Sequence, residues 1–169
     1  MPNPFHISDA AALALHAAAY LAAGGDRLCR ARDMSGALGV SHDHLVKVLQ
    51  MMARGGLVDT VRGPGGGVRL AREAESIRLM EVYEAVEGRY TPVGCLLRKR
   101  ACDGRHCVLG GLAKKLNREI HDYLAGTRVS SVAAATGNKP HEAGISGAGA
   151  GAGSRKQVNG RGSKPGKGR

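Results

Sequence analysis

The sequence predicts a mainly α-helical fold with one small β-hairpin, a winged helix-turn-helix extended by a long dimerisation helix. Three observations lead there. Two short helical segments are joined by Gly39-Val40, alternating β-branched residues flank a Gly/Pro turn just after them, and a strongly amphipathic segment begins near residue 108.

Ser8 is placed to cap a first helix through about Ala23, stopped by Gly24-Gly25, with Leu13 and Leu21 on its buried side. A second helix fits Ala31 to Leu38. Past the Gly39-Val40 turn, Ser41 is the natural cap of a third helix to about Arg54, in which Leu45, Val48, Leu49 and Met52 recur at helical spacing. His42, Asp43, Val46, Lys47, Gln50 and Arg54 lie largely off that stripe, so the second helix of the pair offers a polar face. Residues 57–62 and 68–70 then read as the arms of a hairpin around Gly63-Pro64-Gly65-Gly66-Gly67, in the position of a wing.

Ser76 is expected to cap the next helix, to about Glu87, burying Met80, Val82, Tyr83 and Val86, with Gly88 as terminator. The last long helix is expected from about Val108 to Ala125, ended by Gly126. Leu109, Leu112, Leu116, Ile120, Tyr123 and Leu124 form its apolar stripe, and Lys114, Lys115, Arg118, Glu119 and Asp122 take most of the other side. That stripe needs a partner, either the rest of the monomer or the same helix of a second copy. The expected divisions are a winged-helix domain over 1–90, a cysteine-rich loop over 91–107, a dimerisation helix with a short C-terminal helix over 108–136, and a disordered basic Gly/Ala-rich tail over 137–169.

Composition agrees with this outline. A chain of 169 residues, 43 % hydrophobic and 23 % charged, fits one domain plus a tail, and its formal net charge of +11 favours a polyanionic partner. Residues 137–169 hold ten glycines and seven Lys/Arg against the single acid Glu142, too little apolar surface to offset the entropy of ordering. Aromatics are 3 % and Trp is absent, which argues against stacking on unpaired bases and for duplex DNA. The Ala10–Ala23 run contains His16 and falls short of the roughly 20 strongly apolar residues of a membrane span, and no positive charge precedes it as a signal peptide would require. A cytoplasmic protein without membrane contact is expected.

The wing and the third helix carry the candidate binding residues. Glycines at Gly63, Gly65 and Gly66 let backbone approach DNA closely, and Arg62 and Arg69 bring charge for phosphates or a narrow minor groove. Ser41 and the helix N-terminus suit a phosphate, while His42, His44 and Lys47 are placed for the major groove. No GK[ST] follows the glycine-rich turn, and neither HExxH nor GxSxG occurs, so an enzyme is not expected.

Cys95, Cys102 and Cys107 are the sharpest feature. They lie within thirteen residues, among Arg98, Lys99, Arg100 and Arg105, and neighbouring cations lower thiolate pKa values and offset the charge of a thiolate-bound cluster. Three thiolates with one further ligand suit an iron-sulfur cluster. A thiol switch, a zinc site completed by His106, or three idle cysteines are the alternatives. Cys29, far from the triplet, reads as a small buried residue.

Residues 40–48, Gly56-Leu57-Val58, residues 61–71 and the cysteine triplet together resemble the Rrf family of bacterial transcription regulators, over about Ile7 to Val132. The resemblance implies a winged-helix homodimer that represses transcription from a palindromic double-stranded DNA operator. It further implies a long dimerisation helix after the cysteine loop and, in many members, a [2Fe-2S] or [4Fe-4S] cluster responsive to cluster supply, nitric oxide or redox state. Carried over by position, Ser41, His42, His44 and Lys47 would read the major groove, Arg62 and the following glycines the minor groove, and Cys95, Cys102 and Cys107 would ligate the cluster. This chain departs from the family pattern in its uneven cysteine gaps of six and four residues. It also has Gly110 and Ala12 where two branches carry a fourth ligand, leaving His106, Asp9 and Asp103 as candidates.

Overall fold

The computed structural model describes residues 7–92, 108–109 and 111–136. In chain order the elements are α1 (Asp9–Gly24), α2 (Ala31–Leu38), α3 (His42–Arg54), β1 (Val58–Val61), β2 (Gly67–Leu70), α4 (Leu79–Glu87), α5 (Leu112–Gly126) and α6 (Val129–Val132), followed by a 3-10 turn over Ala133–Thr136.

Helix α1 is the spine. Alanines predominate in it, and Ala11, Ala14, Ala17 and Ala18 are fully buried, because small side chains let α3, α4, α6 and the 3-10 turn close on it from several sides. Ser8 caps it as expected, its hydroxyl oxygen accepting from the Ala11 N–H at 3.1 Å while its O–H donates to Glu87 at the far end of α4.

The helix pair follows the expected boundaries. Gly39 takes a left-handed conformation (φ 65°), which frees the chain to turn from α2 into α3, and the Val40 N–H closes the end of α2 on the Ser35 carbonyl at 3.0 Å. Leu45, Val48, Leu49 and Met52 are buried, so α3 anchors through one stripe. Fully burying Leu45 or Met52 contributes about 1.5–3 kcal/mol each. Strands β1 and β2 pair antiparallel in the register Val58↔Leu70 through Val61↔Gly67. A single bridge adjoins them: Cys29 exchanges both backbone hydrogen bonds with Val68, at 2.9 and 2.8 Å. The connection between α1 and α2 thereby holds the hairpin through strand β2.

Two expected boundaries shift. Helix α4 begins at Leu79, and Ser76 does not cap it, its hydroxyl instead donating to the Glu73 carbonyl at 2.8 Å. Ile77 and Arg78 are held extended against the chain leaving α5: Leu79 N–H donates to Thr127 and Val129 N–H to Ile77, around an Arg78–Arg128 bridge. A segment paired in that way cannot also form the first turn of a helix. Arg78 takes the cap position, with the Glu81 carboxylate accepting from its N–H at 2.9 Å. Within α4, Val82 and Tyr83 are buried and Met80 and Val86 half-buried.

Helix α5 begins at Leu112, four residues later than expected. Val108 and Leu109 form a turn instead, and Gly111 takes the cap position, since glycine weakens a helix interior. The helix lies against α4 and the chain following it. There Asn117 is buried, its amide donating to the Ala113 carbonyl at 2.6 Å. The Tyr90 hydroxyl donates to the Asn117 backbone carbonyl at 3.0 Å, and the Tyr90 ring lies between Tyr83 and His121 at centroid distances of 5.7 and 5.6 Å. Only part of the apolar stripe is covered. Leu124 is buried and Leu116 and Ile120 are half-buried, whereas Leu112 and Tyr123 are 50 % and 60 % exposed.

Candidate nucleic-acid interface

Ser41, His42, His44 and Lys47 all lie exposed on the first turn and a half of α3. Ser41 caps the helix from its own side chain, accepting from the His44 N–H at 3.5 Å, which leaves its O–H available as a donor. His42 sits 3.4 Å from the Asp43 carboxylate, and Arg54 at the far end is turned back onto the Gln50 carbonyl at 3.3 Å. Lys47 has no hydrogen-bond or ion-pair partner among the described residues, so its ammonium is free for an anion. The exposed face is polar because Leu45, Val48, Leu49 and Met52 are buried and the two remaining large apolar residues of the helix, Val46 and Met51, are half-buried.

The wing carries Arg62 and Arg69, both exposed but unequal. Arg69 faces Asp59 across the strand pair at 3.8 Å, so part of its charge is already matched, whereas Arg62 has no partner among the described residues. Of the wing glycines, Gly63 stands at φ +110°, which side-chain-bearing residues rarely adopt. A Cβ on Gly66 would come within 2.2 Å of the Val61 carbonyl oxygen, and one on Gly67 within 2.7 Å of that of Cys29. The fold therefore requires these three. Gly65 is different: its φ is not left-handed and a Cβ there would meet open space. Among the described residues nothing requires a glycine at that position.

Sequence reasoning missed Arg30. It stands at the N-cap position of α2 without capping it, and its guanidinium donates from Nη2 to the Pro64 carbonyl at 3.2 Å, reaching thirty-four residues along the chain to the wing tip. No local pattern marks such a residue.

Cys95, Cys102 and Cys107 lie outside the described residues, as do His106, Asp103, Gly110 and the basic tail. Among the described residues no group of three or more His, Cys, Asp or Glu side chains is gathered to hold a metal ion. Cys29 is a half-buried thiol outside any disulfide, and burial pushes its pKa up. No helix among the described residues is long and apolar enough to cross a membrane.

Comparison with known proteins agrees with this geometry. Residues 7–135 match the Rrf2 family model, described as an iron-dependent transcriptional regulator. An HTH-type transcriptional regulator of Aquifex aeolicus (strain VF5) is 30 % identical over 128 residues, covering 74 % of this chain and 89 % of that one. The HTH-type transcriptional regulator IscR of Cereibacter sphaeroides is 46 % identical over 63 residues, 37 % of this chain and 41 % of that one. Among solved structures, the global cysteine regulator CymR of B. subtilis superposes with a TM-score of 0.63 at 22 % identity, covering 76 % of this chain and 96 % of that one, a likeness of fold. These relatives are transcriptional regulators and not enzymes. The winged-helix fold, the match along residues 7–135 and the relatives together show that the chain belongs to the Rrf2 family of DNA-binding transcriptional regulators.

Proposed function

We propose that the protein is a homodimeric repressor whose affinity for a palindromic operator is set by an iron-sulfur cluster on Cys95, Cys102 and Cys107. The observation that carries the DNA half is the pairing of two cations without a partner among the described residues, Lys47 on α3 and Arg62 on the wing, with a helix face that is otherwise polar and exposed. Lys47, His42 and His44 reach base edges in the major groove, Ser41 and the α3 N-terminus hold a phosphate, and Arg62, Arg69 and Gly63, Gly65 and Gly66 follow the minor groove. Two copies pair through the uncovered side of α5, where Leu112 and Tyr123 remain exposed, and so set the spacing of two recognition helices about one DNA turn apart.

The cluster reading rests on the donor set. Three thiols within thirteen residues, with four cations between or beside them, suit thiolate ligation in a way that no group of described side chains does. The matched family description, an iron-dependent transcriptional regulator, supports the same assignment. When bound, such a cluster would supply a redox-active, oxidant-labile centre. Cys95, Cys102 and Cys107 would hold it, and α5, which starts five residues after Cys107, would link their state to dimer geometry.

A second reading, a clusterless thiol-switched regulator of the same fold, is favoured by the uneven cysteine gaps and by Gly110 and Ala12 at the positions where relatives carry a fourth ligand. Visible absorption with iron, sulfide and zinc analysis of anaerobically purified protein separates the two, alongside a Cys102→Ala variant. Bound iron and sulfide that disappear in the variant are the expected result. A colourless, iron-free protein after reconstitution would move the sensing to thiols or zinc.

A further inference from the structure

The wing tip is a β-turn over residues 63–66, closed by the Gly66 N–H on the Gly63 carbonyl at 2.9 Å, with Pro64 and Gly65 at its centre. Pro-Gly at the centre of a turn suits type II, which places the glycine at positive φ. Gly65 is not at positive φ, so the turn is type I. The two types differ by a flip of the peptide between Pro64 and Gly65. That peptide's carbonyl is the group that Arg30 holds, at 3.2 Å.

We infer that Arg30 is a positioning residue for the wing: by holding the Pro64 carbonyl it selects the turn type and presents the Gly65 N–H outward, as a neutral donor for the DNA backbone. A trans peptide carries its C=O and N–H on opposite sides, so a carbonyl drawn to Arg30 aims the amide hydrogen away from it. The Gly65 N–H has no acceptor among the described residues, and the space beside its Cα is open. The wing is thereby held at two places by neighbouring residues of one segment, in strand β2 by Cys29 on Val68 and at the tip by Arg30 on Pro64. The inference rests on the reading that the wing meets DNA.

The test uses the full chain and a duplex that the wild-type protein selects from a random pool, with affinity measured across a series of salt concentrations. A neutral N–H releases no counterions, whereas each cation on a phosphate contributes about 0.9 to the slope of log affinity against log salt. Arg30→Ala is expected to weaken binding about tenfold, the scale of one lost backbone contact, with the slope unchanged. In the free protein the same variant is expected to shift the Gly65 amide resonance. A slope lower by about one would make Arg30 a direct phosphate contact and overturn the inference. Unchanged affinity, or an unmoved Gly65 resonance, would overturn it as well. Arg62→Ala tests the underlying reading separately: if it binds as well as wild type with the same slope, the wing does not meet DNA. The Gly65 contact then falls, while the resonance still reports whether Arg30 holds the turn.

Discussion

Helices α3 and α5 are both amphipathic, yet the structure treats them oppositely. In α3 the four stripe residues Leu45, Val48, Leu49 and Met52 are all buried, and what remains outside is polar and cationic. In α5 the buried side holds Leu124 and the polar Asn117, and what remains outside includes Leu112 and Tyr123. A helix that has spent its apolar face on its own core offers a surface for a charged ligand such as DNA. One that keeps apolar residues outside offers a surface for protein. The same contrast separates the two binding events of the proposed regulator.

The sharpest way to break the comparison is in the core of α3. Leu45 is fully buried, so Leu45→Ala is expected to cost about 2–5 kcal/mol of stability and to remove DNA binding with it, read by thermal unfolding and by titration with duplex DNA. Leu112→Asp on α5 should do the reverse. Because Leu112 is half exposed, folding of the monomer should change by under about 1 kcal/mol, while a charge placed in the pairing surface should convert dimers to monomers in light scattering. A variant that remains dimeric would move the interface elsewhere.

Lys47→Ala probes the outer face of α3. It should weaken binding to a selected duplex by about 1–3 kcal/mol if Lys47 reaches a base, and equally on random duplex if it reaches only phosphate. The smallest effect lies at the α4–α5 junction. Burial acts against the charged form of Glu81, but the Arg78 N–H and the Arg72 guanidinium at 2.7 Å outweigh it and hold the carboxyl below the ordinary glutamate value of about 4.3. A depressed folded pKa adds stability above the unfolded value and loses it as pH falls through the folded one. Glu81→Gln should therefore flatten the decline in melting temperature below about pH 4.3, by the equivalent of less than about 1 kcal/mol for so exposed a pair.

The candidate site was legible in the sequence in proportion to how local its determinants are. Ser41, Lys47 and Arg62 could be placed because a cap, a helical period and a Gly/Pro turn fix them within a few residues. Arg69 looked equivalent to Arg62, and only the strand register, which sets Asp59 opposite it, distinguishes them. Of the wing glycines, three turn out to serve the fold and one, Gly65, does not, a distinction that depends on backbone atoms of Val61 and Cys29 brought alongside.

By itself the sequence determined the order of elements, the Ser8 and Ser41 caps, the left-handed turn at Gly39 and the stripe that anchors α3. Each of these follows from steric and hydrogen-bonding preferences within one or two turns of chain. The tertiary structure alone decided the rest. Pairing of residues 77–79 with 127–129 displaced the start of α4 from the cap that Ser76 offered, and packing against α4 and Tyr90 chose which side of α5 is covered. The wing tip shows the division most clearly, since Pro64-Gly65 permits either turn type. The choice falls to an arginine thirty-four residues away, because the free-energy difference between turn types is small enough for one hydrogen bond to decide.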